Sequence, residues 1–416
     1  MKNVYLCTKH PTMKTKTDNI CTILGETIRK TLTPLIPSDY ILLDLPYHAN
    51  IGDTLIWKGE EEFLKTLTGQ CLGKHCKDTF DFRPLPTNCT ILLHGGGNFG
   101  DLWRTHQEFR LEVMRLYPDN PIIILPQTIF YESDELFTED VRKMNQHRHL
   151  TICARDNHSA ELLSGKGFTG RLLTLPDMAF CINQEELQAK MAEATKTNLL
   201  LLREDKEQKA PSMFNAQCLM PEVSDWPQMQ EYNAKARHVL MTYEDKNADT
   251  FFLDEFFPKR INAGIELASS YKEACSTRLH FAILRLLLGM PVKMLDNSYG
   301  KNLDFYNTWL KDSELANLLD PEEQKTVDLT IFVHKQKQEC LKEHEHQIAK
   351  LKQEQEEQES RHADIHRKQE ERISWLQQKA DRESRKHRKY KKLFNASLVM
   401  LSLLVVTLVI LFILNK

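Results

Sequence analysis

No G-x-S-x-G pentapeptide, no C-x-x-C pair and no long apolar run near the amino terminus occur in this 416-residue chain. Each absence removes a class of function. Without the strand-to-helix elbow that G-x-S-x-G builds, the tetrad "HGGG" at His94 to Gly97 loses its reading as the oxyanion loop of a lipase-like hydrolase. The ten cysteines (Cys7, Cys21, Cys71, Cys76, Cys89, Cys153, Cys181, Cys218, Cys275 and Cys340) are scattered without pairing. Scattered thiols point to a reducing compartment rather than a disulfide framework or a structural zinc, and the tight cluster "CLGKHC" leads to no metal assignment. A formal net charge of -3 gives no reason to expect a nucleic-acid partner. The opening "MKNVYLCTKH" is too polar for a signal-peptide core, so the amino terminus is expected to stay on the side where it is made.

Proline and glycine are also absent from about Val333 to Tyr390, where Lys, Glu, Gln, Arg and His dominate. That composition predicts a long solvated helix. One heptad frame places Leu341, Ile348 and Leu376 at one core position and Leu351 and Ile365 at the other, interrupted by Gln355, Gln358, His362, Gln369 and Arg372. The expectation is a discontinuous coiled coil, a spacer through which two copies could form a homo-oligomer. After the cationic "RKHRKYKK" comes "ASLVMLSLLVVTLVILFIL" from Ala396, about 19 uncharged residues, the length of a bilayer-spanning helix. A single-pass carboxy-terminal membrane anchor with a cytoplasmic catalytic body is therefore expected.

The remainder alternates short apolar runs with helical patterns. "YILLDLP", "TILLHGGG", "PIIILPQT", "LTICARD" and "RLLTLPD" read as strands, and "DTLIWKGEEEFLKTL" and "SAELLSGKG" as helices between them. A second series runs through "TNLLLLRED", "ARHVLMTY" and "PVKMLDN". Alternation of this kind implies parallel strands with crossover helices. The expected class is α/β, with two Rossmann-like domains followed by a long charged helix and a transmembrane helix. In residues the division is 1–35 for an amino-terminal segment, 36–190 and 191–330 for the two domains, 331–392 for the linker and 393–416 for the anchor.

Six motifs then occur in order: "NIGDTLIWKG", "HGGGNFGD", "LPQT", "ARDNHSAELL", "LPDMAF" and "STRLHFAILRLLLGMPVKML". Together they resemble the polysaccharide pyruvyl transferase family over roughly Asp44 to Asn302. The resemblance implies a GT-B-like pair of domains and transfer of a pyruvyl group from phosphoenolpyruvate to a sugar of a surface polysaccharide or its lipid-linked precursor. The product is commonly a cyclic ketal, and phosphate is released. The donor is a substrate, and the scheme requires neither a metal nor a cofactor. The middle of the second half, about 206–235, carries no motif.

A donor with one carboxylate and one phosphate calls for guanidinium groups, and Arg155 and Arg278 are the candidates. Arg155 ends an apolar run, where ligands of open α/β sheets bind; Arg278 opens an apolar helix whose first amides suit phosphate. The family's Arg-Leu-His motif matches Arg278, Leu279 and His280, which carries a catalytic or phosphate-contacting role over to His280, against a capping or core histidine. Asn50 and Asp53 are candidates for substrate contact or for helix capping. Gly95, Gly96 and Gly97 let backbone approach a ligand, and Asn98 and Asp101 suit a sugar or a turn. Gln127, Asp177 and Lys301 complete the substrate-binding set, whereas His94 reads as buried support. Two other functions remain open on sequence: a GT-B glycosyltransferase using a nucleotide sugar, and a non-catalytic membrane scaffold.

Overall fold

A computed structural model of the chain describes residues 19–48, 50–202, 222–227, 251–296 and 300–319, most of 381–402, and single residues at 235, 239 and 348. Two compact units divide it, one formed by residues 1–209 and 222–319, the other by 210–221 and 320–416.

Two parallel sheets make up the first unit. The first contains β1 (Tyr40–Leu43), β2 (Cys71–His75), β3 (Thr90–Leu93), β4 (Gly96–Gly100), β5 (Ile122–Phe130), β6 (Leu150–Ala154) and β7 (Arg171–Thr174). Its order is β2-β1-β3-β5-β6-β7, and β5 is long enough to pair with β3 through Ile122–Ile124 and then with β4 from Gln127 onward. The second contains β8 (Lys196–Leu201), β9 (Glu222–Ser224), β10 (Tyr271–Ser276), β11 (Val292–Met294) and β12 (Ala316–Leu318), in the order β12-β11-β10-β8-β9. The helices are α1 (Ile20–Leu32), α2 (Ile51–Leu64), α3 (Arg104–Leu116), α4 (Asp134–Met144), α5 (Asn157–Gly165), α6 (Gln184–Gln188), α7 (Phe257–Ser269), α8 (Leu279–Leu287) and α9 (Lys301–Phe305).

Local chemistry explains these boundaries. Asn50 caps α2 by accepting from the Gly52 amide at 2.9 Å, and Ser133 and Asp156 do the same for α4 and α5. Strands β1, β3 and β6 are buried at every position, which is why they read as unbroken apolar runs rather than as alternating ones. Alternate side chains nevertheless enter different cores. Ile41, Leu43, Ile91 and Leu93 pack with Phe109, Val113 and Phe137 on one face of the first sheet. Leu42, Leu92 and Ile123 join Leu24, Leu55, Ile283 and Leu199 in a second core that runs on into the second sheet. Each such side chain contributes about 1.5–3 kcal/mol of burial, so the continuous core fixes the two sheets against each other.

Strands β2, β4, β9, β10 and β12 were not legible as strands. "CLGKH" is a partly exposed edge, "GGNFG" is mostly glycine, and "YKEACS" turns Lys272 and Glu273 outward. "ARHVLMTY" lies largely outside the described residues.

The expectation of a membrane-spanning tail is corrected. Among the described residues no helix is long and apolar enough to cross a membrane, so the single-pass anchor and the membrane localisation drawn from it are not supported. The described helical positions from Asp381 to Ser402 consist mainly of the exposed cationic stretch, and the apolar run begins only at Ala396. Residues 403–416 lie outside the described residues. So do Leu341, Leu351, Ile365 and Leu376 of the heptad frame, which leaves the coiled coil and oligomerisation through it without support.

Candidate active site

The amino-terminal end of α2, the glycine turn between β3 and β4, the start of α3 and the start of α8 converge on one cleft of about 570 Å3. Its walls include Asn50, Asp53, His94, Gly95, Gly97 and Asn98 from the first half, and Arg278, His280 and Lys301 from the second.

At its centre His280 stands in the first turn of α8 and is buried. Its Nε2 lies 3.1 Å from Oδ2 of Asp177, an acceptor, which assigns the proton to Nε2 and the lone pair to Nδ1. Asp177 also accepts from Nη1 of Arg155 at 2.6 Å and from the Ala179 amide at 2.9 Å. Burial works against its charge, but His280, Arg155 and that amide outweigh it and hold the carboxyl well below the usual range. For His280 burial wins: it lowers the imidazole pKa despite the opposing pull of Asp177, and Arg155, 3.4 Å from Nε2, adds to the lowering. A neutral imidazole oriented by a fixed carboxylate is suited to accept a proton.

Arg155 is fully buried behind His280 rather than on the cleft wall. Its Nε and Nη2 donate to Oγ1 of Thr128 at 3.1 and 2.9 Å, and its carbonyl accepts from Nε1 of Trp309 at 2.8 Å. Arg278 does line the cleft, gripped on Nε and Nη2 by both carboxylate oxygens of Asp225, so its planar fork is oriented in advance. Lys301 enters from the start of α9, directly over Gly97. A Cβ at Gly97 would sit 2.6 Å from its Nζ, so the missing side chain is what admits the ammonium. Gly52 plays the same part for His280, whose Nδ1 would lie 2.7 Å from a Cβ there.

Asp53 remains partly open to the cleft. Burial pushes its carboxyl up, yet His48, His280, His94 and Lys301 outweigh that and keep it ionised below the usual range. Asn50 lines the same wall while capping α2. Asn98 also lines it, but its side-chain oxygen is already taken by Arg110 and by Nε2 of Gln127. Gln127 is buried and also donates to the His94 carbonyl at 2.8 Å, bracing the glycine turn from beneath. Asp101 faces elsewhere and accepts from the Glu132 and Ser133 amides ahead of α4. Gly96, at φ +122°, makes the reversal that turns Gly95 and Gly97 to the cleft.

Sequence reasoning missed a second group of polar residues. Nδ1 of His106, on α3, lies 2.7 Å from Oδ1 of Asp44, whose other oxygen accepts from Arg110 at 3.0 Å. Asp44 holds φ +68°, a costly conformation that the surrounding contacts keep in place. His48, Trp103 and Trp226 also border the cleft. The available signal was the density of "HGGGNFGDLWRTHQ", two histidines and a tryptophan within one loop and helix start; periodicity gives no hint that they meet. Among the described residues no group of three or more His, Cys, Asp or Glu could hold a metal ion.

Comparison with known proteins gives this cleft a context. Residues 50–299 match the family model for polysaccharide pyruvyl transferase, which spans every cleft-lining residue named here except His48 and Lys301. The chain is 28% identical to EpsO of Bacillus subtilis (strain 168), named as a candidate pyruvyl transferase, over 71% of this chain and 93% of that protein. It is 27% identical to Pyruvyl transferase 1 of Schizosaccharomyces pombe (strain 972 / ATCC 24843), over 65% of this chain and 69% of that one. In fold it is similar to a crystal structure of a functionally uncharacterised protein of Klebsiella pneumoniae subsp. pneumoniae NTUH-K2044, with a TM-score of 0.51 at 18% identity, covering 71% of this chain and 98% of that one. The chain belongs to the polysaccharide pyruvyl transferase family and is a transferase.

Proposed function

We propose that the cleft transfers the pyruvyl group of phosphoenolpyruvate to two hydroxyls of a saccharide, forming a ketal and releasing phosphate. The observation that carries this reading is the meeting of an oriented imidazole, His280, with two cationic side chains, Arg278 and Lys301, in one cleft. Asp225 grips Arg278 and so orients it, while Asp53 acts on Lys301 only through its charge.

The chemistry follows from charge. The enol phosphate carries its negative charge at both ends, and Arg278 offers a planar fork to a carboxylate or phosphate while Lys301 acts as a point charge. The first-turn amides of Leu279 and His280 have no intrahelical acceptor, as at any helix start, and add a positive end beside them. As the bond to phosphate breaks, charge grows on its oxygens, and a preorganised cationic wall stabilises that growth. His280 Nδ1 takes the proton of the attacking hydroxyl, with Asp177 stabilising the imidazolium that results. Arg155 acts through Asp177 as a positioning residue.

Phosphate release from phosphoenolpyruvate in the presence of a panel of p-nitrophenyl hexosides and N-acetylhexosaminides tests the reading. Turnover by the native protein, with kcat reduced about 10²–10⁴-fold in His280→Ala, is expected for loss of a general base. Arg278→Ala should chiefly raise KM for the donor. No phosphate release with any acceptor, together with no binding of phosphoenolpyruvate, overturns it.

A further inference from the structure

Ketal formation moves three protons. The methylene carbon of phosphoenolpyruvate must gain one to become a methyl group, and each of the two attacking hydroxyls must lose one. His280, with its proton at Nε2 committed to Asp177, holds no proton at Nδ1 to deliver to carbon before it takes one from a hydroxyl, so the chemistry asks for a second group that starts protonated.

His94 has the geometry for that second group. It lines the cleft, yet it is only 2% exposed. Glu60, reaching across from α2, approaches Nδ1 with Oε2 at 2.7 Å, while its other oxygen accepts from the Gly95 amide at 2.9 Å. That double grip locks the ring. Nε2 remains, buried and with no hydrogen-bond partner. A buried imidazole nitrogen left unpaired costs on the order of 1–3 kcal/mol, which a native structure tolerates where a ligand supplies what is missing. Gly95 and Gly97, which flank the ring in sequence, line the same cleft wall and place no side chain of their own there.

We propose that His94, held by Glu60, is the general acid that delivers a proton from Nε2 to the methylene carbon of phosphoenolpyruvate, acting opposite His280. The inference rests on the donor reading above. The proton bond at Nε2 breaks as the carbon–hydrogen bond forms, and the carbon bearing phosphate becomes the electrophile. The first hydroxyl adds to it and gives its proton to His280. The carbon–oxygen bond to phosphate then breaks, the second hydroxyl forms the second carbon–oxygen bond, and phosphate leaves with the electron pair. One hydroxyl proton replaces the one that His94 gave up, the other departs with phosphate or to water, and both imidazoles return to their starting state.

The charged surroundings agree with this division. Facing His94 are Glu60 and Asp53 from α2, Asp44 from the end of β1, and His48 from the loop that follows. Burial lowers its pKa, but the three carboxylates outweigh burial and raise it above the ordinary value, so His94 holds its proton where His280 does not. Activity through a protonated acid falls as pH rises through its pKa, and activity through a neutral base falls as pH drops through its own. The pair therefore predicts a bell-shaped profile with its acid limb below about 6.5 and its alkaline limb above it.

The test is kcat and kcat/KM against pH for phosphate release by the full-length protein, with phosphoenolpyruvate and the best p-nitrophenyl glycoside, in native, His94→Gln and Glu60→Gln forms, the limbs being read from kcat/KM, which reports the free protein. For His94→Gln the expectation is a kcat lower by about 10² or more, no alkaline limb, and a Kd for phosphoenolpyruvate within about threefold of native. Glu60→Gln should keep the alkaline limb but move it to lower pH, a shift that a merely structural role does not produce and that remains readable if His94→Gln fails to fold. Three results overturn the assignment: an alkaline limb retained in His94→Gln, a limb unmoved in Glu60→Gln, or donor binding lost in step with kcat. If the native protein neither binds nor turns over phosphoenolpyruvate, the donor reading itself fails and the acid role falls with it; turnover by native protein alongside an unaffected His94→Gln removes His94 alone.

Discussion

Three histidines around one cleft are each set by a different carboxylate: His280 by Asp177, His94 by Glu60 and His106 by Asp44. A carboxylate on one nitrogen fixes both the ring plane and which nitrogen faces outward, so protonation chemistry is decided by second partners as much as by the imidazoles. The glycines matter for the same reason. Gly52 lies in the first turn of α2, where alanine would be favoured by helix propensity, yet a Cβ there would meet His280 Cβ at 3.0 Å as well as Nδ1. His280 cannot yield simply by bending a flexible end. Gly52→Ala should therefore cost about 1–3 kcal/mol of stability and lower kcat by an order of magnitude or more, because the overpacked contact displaces a catalytic group. A kcat equal to native would show that the imidazole position is not critical. At this scale the sequence was partly legible. Arg278, His280 and Lys301 carry their chemistry in their own identity and in the order of the motifs. His94 was read as buried support, and its burial and bond to Glu60 agree with that; what a linear sequence does not show is that Glu60, 34 residues earlier, occupies one nitrogen and leaves the other unpaired.

The elements that carry these side chains are held by contacts remote from the chemistry. Helix α8 presents His280 at its first turn, and its opposite end is tied down by Arg285, fully buried, whose guanidinium donates to the carbonyls of Ala268 (2.6 Å), Tyr271 (2.7 Å), Lys272 (3.0 Å) and Pro291 (2.8 Å). Burial alone pulls the Arg285 pKa down to about 10, still far above neutrality, so the group stays charged while it stitches α7, β10 and the approach to β11 to α8. Arg285→Leu would strip several buried carbonyls of their donor at once. Chemical denaturation should register a loss of roughly 3–5 kcal/mol for such a network, with donor affinity in the surviving folded fraction close to native. A loss under 1 kcal/mol would mean that water replaces the guanidinium without penalty. Elements of this kind were legible where the apolar pattern was long and continuous, as in "LHFAILRLLLG" and "PIIILPQT". They were illegible where an edge strand is short and half polar, as in β2, β9 and β12, because there the neighbouring strand supplies the ordering that the residues' own propensities do not.

For the molecule as a whole, the two parallel sheets share one core, and the cleft opens where α2 and the glycine turn of one half meet α8 and α9 of the other. Asp177, near the end of the first half, bonds to Arg155 behind it and to His280 across the divide, while Trp309 returns from the second half to the Arg155 carbonyl. Alternating strand and helix signals were enough to predict a parallel α/β body. Hydropathy alone gave the carboxy-terminal run its membrane reading, and among the described residues no helix fulfils it. The account depends on a single ligand sitting across the divide. A crystal structure of the protein with phosphoenolpyruvate bound tests that directly: the account predicts the donor in the cleft, with its anionic groups on Arg278 and Lys301 and its methylene carbon turned toward His94. A donor bound elsewhere, or one in the cleft that touches residues of only one half, would contradict it.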